Sequence, residues 1–314
     1  MQGQLDEAHG VRMECLAIRG VCKRYGGGHG AAAVSALTDV NLDVRAGSVT
    51  AVLGLNGAGK STLIKVICGL IDPDAGALWL DGVRLTRSLT RHCRVGAVLE
   101  GNRNIYWRLS ARENLEYFAA LQGLGPKQSR QRIADLLTTI GLDDRPNTLA
   151  GNLSRGMQQR LALAVSVINQ PQVLLLDEPT LGVDLENVLS IVAYLKEMKE
   201  AGTAIILTSH QMDTVEMLSD HVAILQAGHI KITEDIKTFL SRGATNLYSL
   251  AVDGVDQERL QLLGALGVMV GEGTLTFPED KLYEVLGVMR PLAIGNLTRE
   301  TGDLTSTFLH AVRD

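Results

Sequence analysis

Cysteine is scarce in this chain of 314 residues, and its four cysteines form no recognisable pair. They include no C-x-x-C spacing and no cluster with histidine, which argues against a zinc site or a redox pair. We therefore expect reduced, buried thiols in a cytosolic protein rather than disulfides. The four positions are Cys15, Cys22, Cys68 and Cys93.

The sequence also lacks a long hydrophobic run and an excess of basic residues. No apolar run approaches the roughly 18 residues of a membrane-spanning helix, so work at a membrane would require another chain to cross it. Residues 1–13 have no apolar core, and we expect a disordered lead there rather than a signal peptide. A net charge of -5 disfavours binding to nucleic acid through general basicity.

What the sequence does contain is a stretch, Gly54 to Thr62, that fits the phosphate-binding pattern G-x-x-x-x-G-K-[ST]. A short apolar strand precedes it and a helix follows, so backbone N–H groups and the helix dipole point at one anion site. Lys60 would reach the β- and γ-phosphates as part of the catalytic set, and the Ser61 hydroxyl would ligate Mg²⁺. The residues predicted to bind nucleotide here are Gly54, Asn56, Gly57, Gly59, Lys60, Ser61 and Thr62.

A second motif follows the continuous apolar run Val173–Leu176, which is typical of a central parallel strand. Ligands of α/β folds bind at the carboxyl ends of such strands, where Asp177 and Glu178 stand. Asp177 would hold Mg²⁺, and Glu178 would act as general base on the attacking water. The alternative, an acidic turn after a core strand, is disfavoured by the sequence Pro-Thr-Leu-Gly-Val-Asp that follows.

With these motifs in place, residues 14–235 resemble the ATP-binding subunit of an ABC transporter. Leu153-Ser154-Arg155-Gly156-Met157 stands where that family has its L-S-G-G-Q signature, keeping Ser154 and Gly156 and departing at the other two positions. The resemblance implies that Ser154 and Gly156 bind the γ-phosphate held by a second copy, so that two chains pair head to tail. Read alone, Ser154 would be an ordinary helix cap.

The resemblance assigns further roles residue by residue. His210 would be the switch histidine contacting the γ-phosphate, Asp184 the D-loop residue, and Tyr25 the aromatic that stacks on adenine. Glu100 stands where the family usually has a glutamine that touches Mg²⁺ and the attacking water, and its extra negative charge would slow turnover or change the geometry. The simpler alternatives are a structural histidine, a core tyrosine and a solvent-facing glutamate.

The expected fold is α/β, a P-loop NTPase with a mixed central sheet, an antiparallel β-subdomain and a helical insert at about 101–168 that carries the signature. The ATPase domain would span 14–242. Residues 243–314 would form a small α+β appendage of strand, helix, strand and two helices. An exposed aromatic cluster at Tyr106 and Trp107 is typical of an interface, although local packing explains it equally well.

The resemblance implies ATP and Mg²⁺ as cofactors, and a second copy and a separate multi-span permease as partners, with no nucleic acid. The chain would lie on the cytoplasmic side of the cell membrane, held there by the permease. Its signature and appendage look most like exporters of the ABC-2 type, including drug and antibiotic pumps. Two other classes remain open: a non-transport ABC ATPase, and a regulatory ATP-binding protein with low turnover.

Overall fold

The computed structural model describes residues 14–26, 33–86, 95–99, 101, 104–243, 247–252, 254–271, 273–291, 294–299 and 304–313. The chain divides into two compact units, one ending at Ile236 and the other beginning at Lys237. Within the described residues, no helix combines the length and the apolarity needed to cross a membrane. The predictions for residues 1–13, Cys93 and Glu100 lie outside the described part of the chain.

A six-stranded sheet forms the centre of the first unit, in the order β10-β9-β3-β8-β7-β6. The five strands from β9 to β6 are parallel, and only β10 runs antiparallel, against β9. Strands β3, β7 and β8 are buried along their whole length, which explains their continuous apolar sequences. The strands are β3 (Val49–Leu53), β6 (Val95–Val98), β7 (Val173–Asp177), β8 (Ala204–Thr208), β9 (His221–Gln226) and β10 (His229–Asp235).

A second, antiparallel sheet has the order β2-β1-β4-β5. Alternate residues of β2 are buried, because one face of this sheet packs on the core and the other faces solvent. Asp81-Gly82, a dipeptide that favours a tight hairpin turn, joins β4 to β5 as an antiparallel hairpin. The strands are β1 (Glu14–Tyr25), β2 (Val34–Arg45), β4 (Ala75–Leu80) and β5 (Val83–Arg84).

Helices occupy the chain between β6 and β7. They are α2 (Ala111–Leu121), α3 (Pro126–Thr139) and α4 (Arg155–Val167), with a short 3₁₀ turn at Ala150–Asn152 before α4. Ser110 and Glu113 form a capping box at the start of α2, since the Ser110 hydroxyl accepts from the Glu113 N–H and the Glu113 side chain accepts from the Ser110 N–H. The other helices of this unit are α1 (Lys60–Ile67), α5 (Leu185–Glu200) and α6 (Met212–Leu218).

The second unit is built on an antiparallel sheet in the order β12-β13-β11-β14. From residue 247 to residue 299 its order along the chain is strand, helix, strand, strand, helix, strand, which is the split βαβ arrangement, and a last helix follows. One cluster of eight buried side chains, between Leu250 and Met289, forms its core. Its elements are β11 (Leu247–Val252), α8 (Gln257–Ala265), β12 (Met269–Gly271), β13 (Thr274–Pro278), a 3₁₀ turn (Glu279–Lys281), α9 (Leu282–Met289), β14 (Ile294–Arg299) and α10 (Leu304–Arg313).

The prediction for this region was incomplete, because it lacked β12 and β14. All three residues of β12 are exposed, and those of β14 whose side chains are described are exposed as well, so neither strand has the buried apolar alternation that signals a strand. The division after Ile236 falls six residues before the predicted boundary at 242/243 and lies in α7 (Ile236–Gly243). The assignment of separate functional domains stays a prediction.

The expectation of reduced, buried thiols can be compared with the structure at three of the four cysteines. The three cysteines in the described part of the chain are free, but only Cys15 is buried, while Cys22 and Cys68 are half-buried. Burial, followed by the nearby Asp81, raises the pKa of Cys15 to about 11.

Candidate functional site

The predicted phosphate loop connects β3 to α1, and two of its glycines are fixed by close backbone contacts. A Cβ on Gly54 would lie 2.3 Å from the carbonyl oxygen of Leu225, and one on Gly59 would lie 2.4 Å from that of Ala36. Gly59 also precedes α1 with a φ of 112°, in the left-handed region. Gly57 has a φ of 80° and nothing within 4 Å of its Cβ position, so its need for glycine is conformational.

Lys60, the first residue of α1, folds back across this loop. Its ammonium Nζ donates to the carbonyl of Gly54 at 2.6 Å and to that of Leu55 at 3.3 Å. Burial lowers the pKa of Lys60, and the carboxylates of Glu178 and Asp177 partly offset that effect. A cation held by two carbonyls beside two carboxylates can exchange those carbonyls for phosphate oxygens.

Asp177 is the last residue of β7, and Glu178 follows it in an unusual backbone conformation. The Thr208 hydroxyl, at the end of the neighbouring strand, donates to Asp177 Oδ1, which fixes that carboxylate. Glu178 has a φ of 53°, and its N–H donates to the Thr208 carbonyl at 3.0 Å. A left-handed φ at a residue other than glycine costs about 1–3 kcal/mol, and such strain concentrates at functional sites.

The Glu178 carboxylate faces His210 and keeps one oxygen free. Its Oε2 accepts from the His210 backbone N–H at 3.3 Å, and its Oε1 lies 3.6 Å from the imidazole Nε2. Oε1 is buried and has no hydrogen-bond partner. Burial raises the pKa of Glu178, against opposing contributions from His210. A buried carboxylate with a raised pKa and an unused acceptor oxygen has the properties of a general base.

These groups converge on one cavity of about 500 Å³. Tyr25 contributes its ring to the wall, is 42% exposed, and has the Lys23 Nζ 5.9 Å from its ring centroid. The lining therefore combines an aromatic face, a phosphate loop and acidic groups in a single volume. Its residues are Tyr25, Val34, Ser35, Ala36, Asn56, Gly57, Ala58, Gly59, Lys60, Ser61, Thr62, Asp177, Glu178, Leu181 and His210.

The oxygen ligands proposed for magnesium fit an ion that arrives with phosphate. Ser61 and Asp177 both line this cavity. Across the described residues there is no group of three His, Cys, Asp or Glu side chains that could hold a metal alone. Mg²⁺ is commonly bound by one or two protein oxygens together with substrate phosphates, so this donor set fits it.

A second cavity, of about 430 Å³, shares Asp177, Glu178 and Leu181 with the first. Its wall also includes Leu99, Gly101 and Trp107. Glu100 itself lies outside the described residues, so its place beside the metal stays a prediction.

Ser154 and Gly156 are separate from the phosphate-loop cavity: neither belongs to the set of described residues that line it. Ser154 is exposed and caps α4, where its hydroxyl accepts from the Met157 N–H at 3.3 Å. The exposed N-terminus of α4 and the cavity at β3 are thus two distinct candidate anion sites on one chain.

Sequence reasoning missed a buried asparagine that holds the loop before α2, the aromatic loop that contains Tyr106 and Trp107. Asn114 is fully buried, and its side chain bonds to the backbone of Tyr106, Leu109 and Ser110. Tyr106 packs edge-on against Tyr117, with ring centroids 4.9 Å apart, and is still 48% exposed. Local packing and exposure therefore coexist at this aromatic cluster. A polar residue among the apolar positions of α2 was the available signal.

Comparison with known proteins decides the family. The family model described as "ABC transporter" matches residues 37–181. The ABC transporter ATP-binding protein NatA of Bacillus subtilis is 34% identical over 63% of this chain and 80% of its own length. This chain belongs to the ATP-binding proteins of ABC transporters. It is therefore an ABC ATPase, an enzyme of the ATP-hydrolysing class.

Other relatives of this ABC ATPase differ in what their names describe. The methionine import ATP-binding protein MetN of Corynebacterium efficiens is 34% identical over 90% of this chain and 77% of its own length. The linearmycin resistance ATP-binding protein LnrL of Bacillus subtilis is 31% identical over 72% of this chain and 73% of its own.

Solved structures confirm the fold class. The ATP-binding subunit of an ABC transporter superposes with a TM-score of 0.63 at 30% identity, covering 73% of this chain and 92% of that structure. The ATP-binding cassette MJ0796, solved as a dimer in a post-hydrolysis state with ADP and phosphate, has the same TM-score at 26% identity, over 70% of this chain and 98% of its own. The predicted P-loop NTPase architecture is therefore correct.

Proposed function

We propose that this ABC ATPase binds and hydrolyses MgATP in the 500 Å³ cavity and thereby powers a separate membrane permease. The observation that supports this most directly is the convergence of the phosphate loop, Asp177, Glu178 and His210 on that one cavity. Each group lies at or just after the carboxyl end of one of the parallel strands β3, β7 and β8, at the edge where α/β folds bind ligands.

The aromatic, phosphate-binding and acidic groups of this cavity have separate proposed roles. Tyr25 stacks on the adenine ring, the phosphate loop and Lys60 hold the phosphates, and Ser61 and Asp177 take the magnesium ion. Glu178 Oε1 accepts a proton from the attacking water, and His210 keeps the Glu178 carboxylate in place and contacts the γ-phosphate. When bound, Mg²⁺ would neutralise charge that develops on the phosphates.

The exposed N-terminus of α4 supports a proposal of two chains acting together. Ser154 and Gly156 would bind the γ-phosphate carried by a second copy, because they lie outside the cavity of their own chain. ATP would then join two chains head to tail, and hydrolysis would release them. That arrangement requires a homodimer with two composite sites.

The direction of transport has two candidates. Export of a drug or antibiotic is supported by the similarity to the linearmycin resistance protein and by the Ser-Arg-Gly-Met signature. Import of a small molecule is supported by the similarity to the methionine importer, which covers 90% of this chain. We favour an exporter with an ABC-2-type permease, held at the cytoplasmic side of the membrane. Transport assays in inverted vesicles that contain the co-purified permease would decide between the two directions. An exporter would accumulate its substrate inside these vesicles when MgATP is added outside, whereas an importer would release it.

The experiment that tests hydrolysis is Glu178→Gln in the full-length chain. Loss of the general base should lower phosphate release by about 100-fold or more, while light scattering with MgATP should show the mass of two chains. Glu200→Gln, at an exposed position at the end of α5, is the matched control and should keep wild-type turnover. Unchanged turnover in Glu178→Gln would refute the assignment, and very low wild-type turnover would favour a regulatory ATP-binding protein.

A further inference from the structure

Gly156 is buried at the start of α4, in contact with the first turn of α5. A Cβ added to Gly156 would lie 2.7 Å from Cγ of Asn187, 2.8 Å from its Nδ2 and 3.0 Å from its Cβ. Real Cβ atoms do not approach other heavy atoms this closely, so any larger residue at 156 would have to displace Asn187. The Asn187 side chain therefore occupies the space that an alanine at 156 would need.

Asn187 is not free to move away, because its amide is bonded to the cap of its own helix. Its Nδ2 donates to both carboxylate oxygens of Asp184, at 2.9 Å and 2.7 Å, and its backbone N–H donates to Oδ1 at 3.1 Å. These bonds hold the pKa of Asp184 below its ordinary value, with the backbone bond contributing most. Rotating Asn187 out of the way would break both side-chain bonds to the capping residue of α5.

We propose that position 156 is glycine because the Asn187 side chain, held on the Asp184 cap of α5, fills the adjoining space, and that the close fit of these two residues sets the N-terminus of α4 against the segment from Glu178 to Asp184. The proposal rests on the proposed function, in which Ser154 binds the nucleotide of the second copy and Glu178 acts on the nucleotide bound by its own chain. The Asn187 side chain then links the two parts of one chain that serve different nucleotides. It is hydrogen-bonded to the Asp184 cap and packs against Gly156, beside Ser154.

A competing explanation is that Gly156 is glycine so that the phosphate of the other chain can approach closely. The two explanations predict opposite results when Asn187 is shortened. Under our proposal, removing side-chain atoms at 187 makes room for an alanine at 156. Under the competing explanation, Asn187 makes no difference, because the phosphate meets the added methyl group either way.

The test measures kcat, KM and the thermal midpoint of the full-length chain for Gly156→Ala alone and combined with Asn187→Ala or Asn187→Gly. Gly156→Ala should lower kcat at least tenfold and lower the midpoint, with the affinity of the isolated chain for a fluorescent ATP analogue within twofold of wild type. When added to Gly156→Ala, Asn187→Gly should restore kcat to within threefold of the value that Asn187→Gly gives alone. Asn187→Ala should restore it less, because a 3.0 Å contact to its Cβ remains.

Gly264→Ala is the matched control, since Gly264 is also helical and nothing lies within 4 Å of its Cβ position. It should not lower kcat or the midpoint, because alanine favours a helix over glycine. A double variant as inactive as Gly156→Ala, or a Gly156→Ala chain equal to wild type, would overturn the proposal. If Glu178→Gln keeps wild-type turnover, the proposed function fails. The contact is then still decided by the midpoints, since Gly156→Ala should lower the midpoint less in the Asn187→Gly background than in wild type.

Discussion

Replacing Asn114 by alanine should loosen the aromatic loop that contains Tyr106 and Trp107. Asn114 Oδ1 accepts from the Tyr106 N–H at 2.7 Å. Its Nδ2 donates to the carbonyls of Tyr106 at 3.0 Å, Leu109 at 3.2 Å and Ser110 at 2.9 Å. All four contacts join one buried side chain to backbone groups of the same loop, so alanine would remove them together.

The size of the effect follows from these bonds. Each hydrogen bond contributes about 1 kcal/mol net, and buried groups left without a partner cost more than the bond itself. An amide NH2 has only two hydrogens, so the three Nδ2 contacts amount to two full bonds. The total loss in the free energy of unfolding should therefore be about 3 kcal/mol. For a unit of this length, 1 kcal/mol shifts the midpoint by about 2–4 °C, which gives a decrease of roughly 10 °C.

Two measurements check this prediction. The thermal midpoint reports the overall loss, and hydrogen–deuterium exchange of the peptide containing Tyr106 reports the loop directly, because the Tyr106 amide should lose its protection. Asn147→Ala, at an exposed asparagine, is the control and should change the free energy of unfolding by less than about 0.5 kcal/mol. A midpoint within 3 °C of wild type together with unchanged exchange at Tyr106 would refute the reasoning.

Two further predictions concern the nucleotide cavity. Burial raises the pKa of Glu178 above its ordinary value of 4.5, so the charged carboxylate destabilises the fold as pH rises through the raised value. Glu178→Gln should therefore have a higher thermal midpoint than wild type at pH 8. A pH series of thermal melts should show this difference vanish below pH 4.5. Gly54→Ala should lower the free energy of unfolding by about 3 kcal/mol, because its Cβ would lie 2.3 Å from the Leu225 carbonyl oxygen. Gly57→Ala should lower it by only about 1 kcal/mol, through backbone strain. Equal losses in urea unfolding would contradict the second prediction.

Features encoded by neighbouring residues could be predicted from the sequence. The capping box at Ser110 and the hairpin turn at Asp81-Gly82 each depend on a few consecutive residues, and both are present. The buried strand before Asp177 was visible as an uninterrupted apolar run for the same reason. The phosphate loop likewise has a complete local pattern.

Features that depend on distant residues could not be predicted. The reason for glycine at position 54 is a carbonyl of Leu225, in a strand 171 residues later, and no local pattern encodes that contact. The bonds from Asn114 to the aromatic loop became evident only from the fold. Strand β12 escaped prediction because it is exposed on both faces, so its sequence lacks alternation.

The aromatic loop is also tied to the chain just before Ser154. The Ala150 N–H donates to the Leu109 carbonyl at 2.8 Å, and the Gly151 N–H donates to the Trp107 carbonyl at 3.0 Å. Both partners in each bond are peptide groups, which every residue other than proline carries in full. Side chains in these two segments can therefore diverge during evolution while the backbone bonds between the segments persist. Adaptation to a new partner at this surface need not disturb α4, which begins four residues after Gly151.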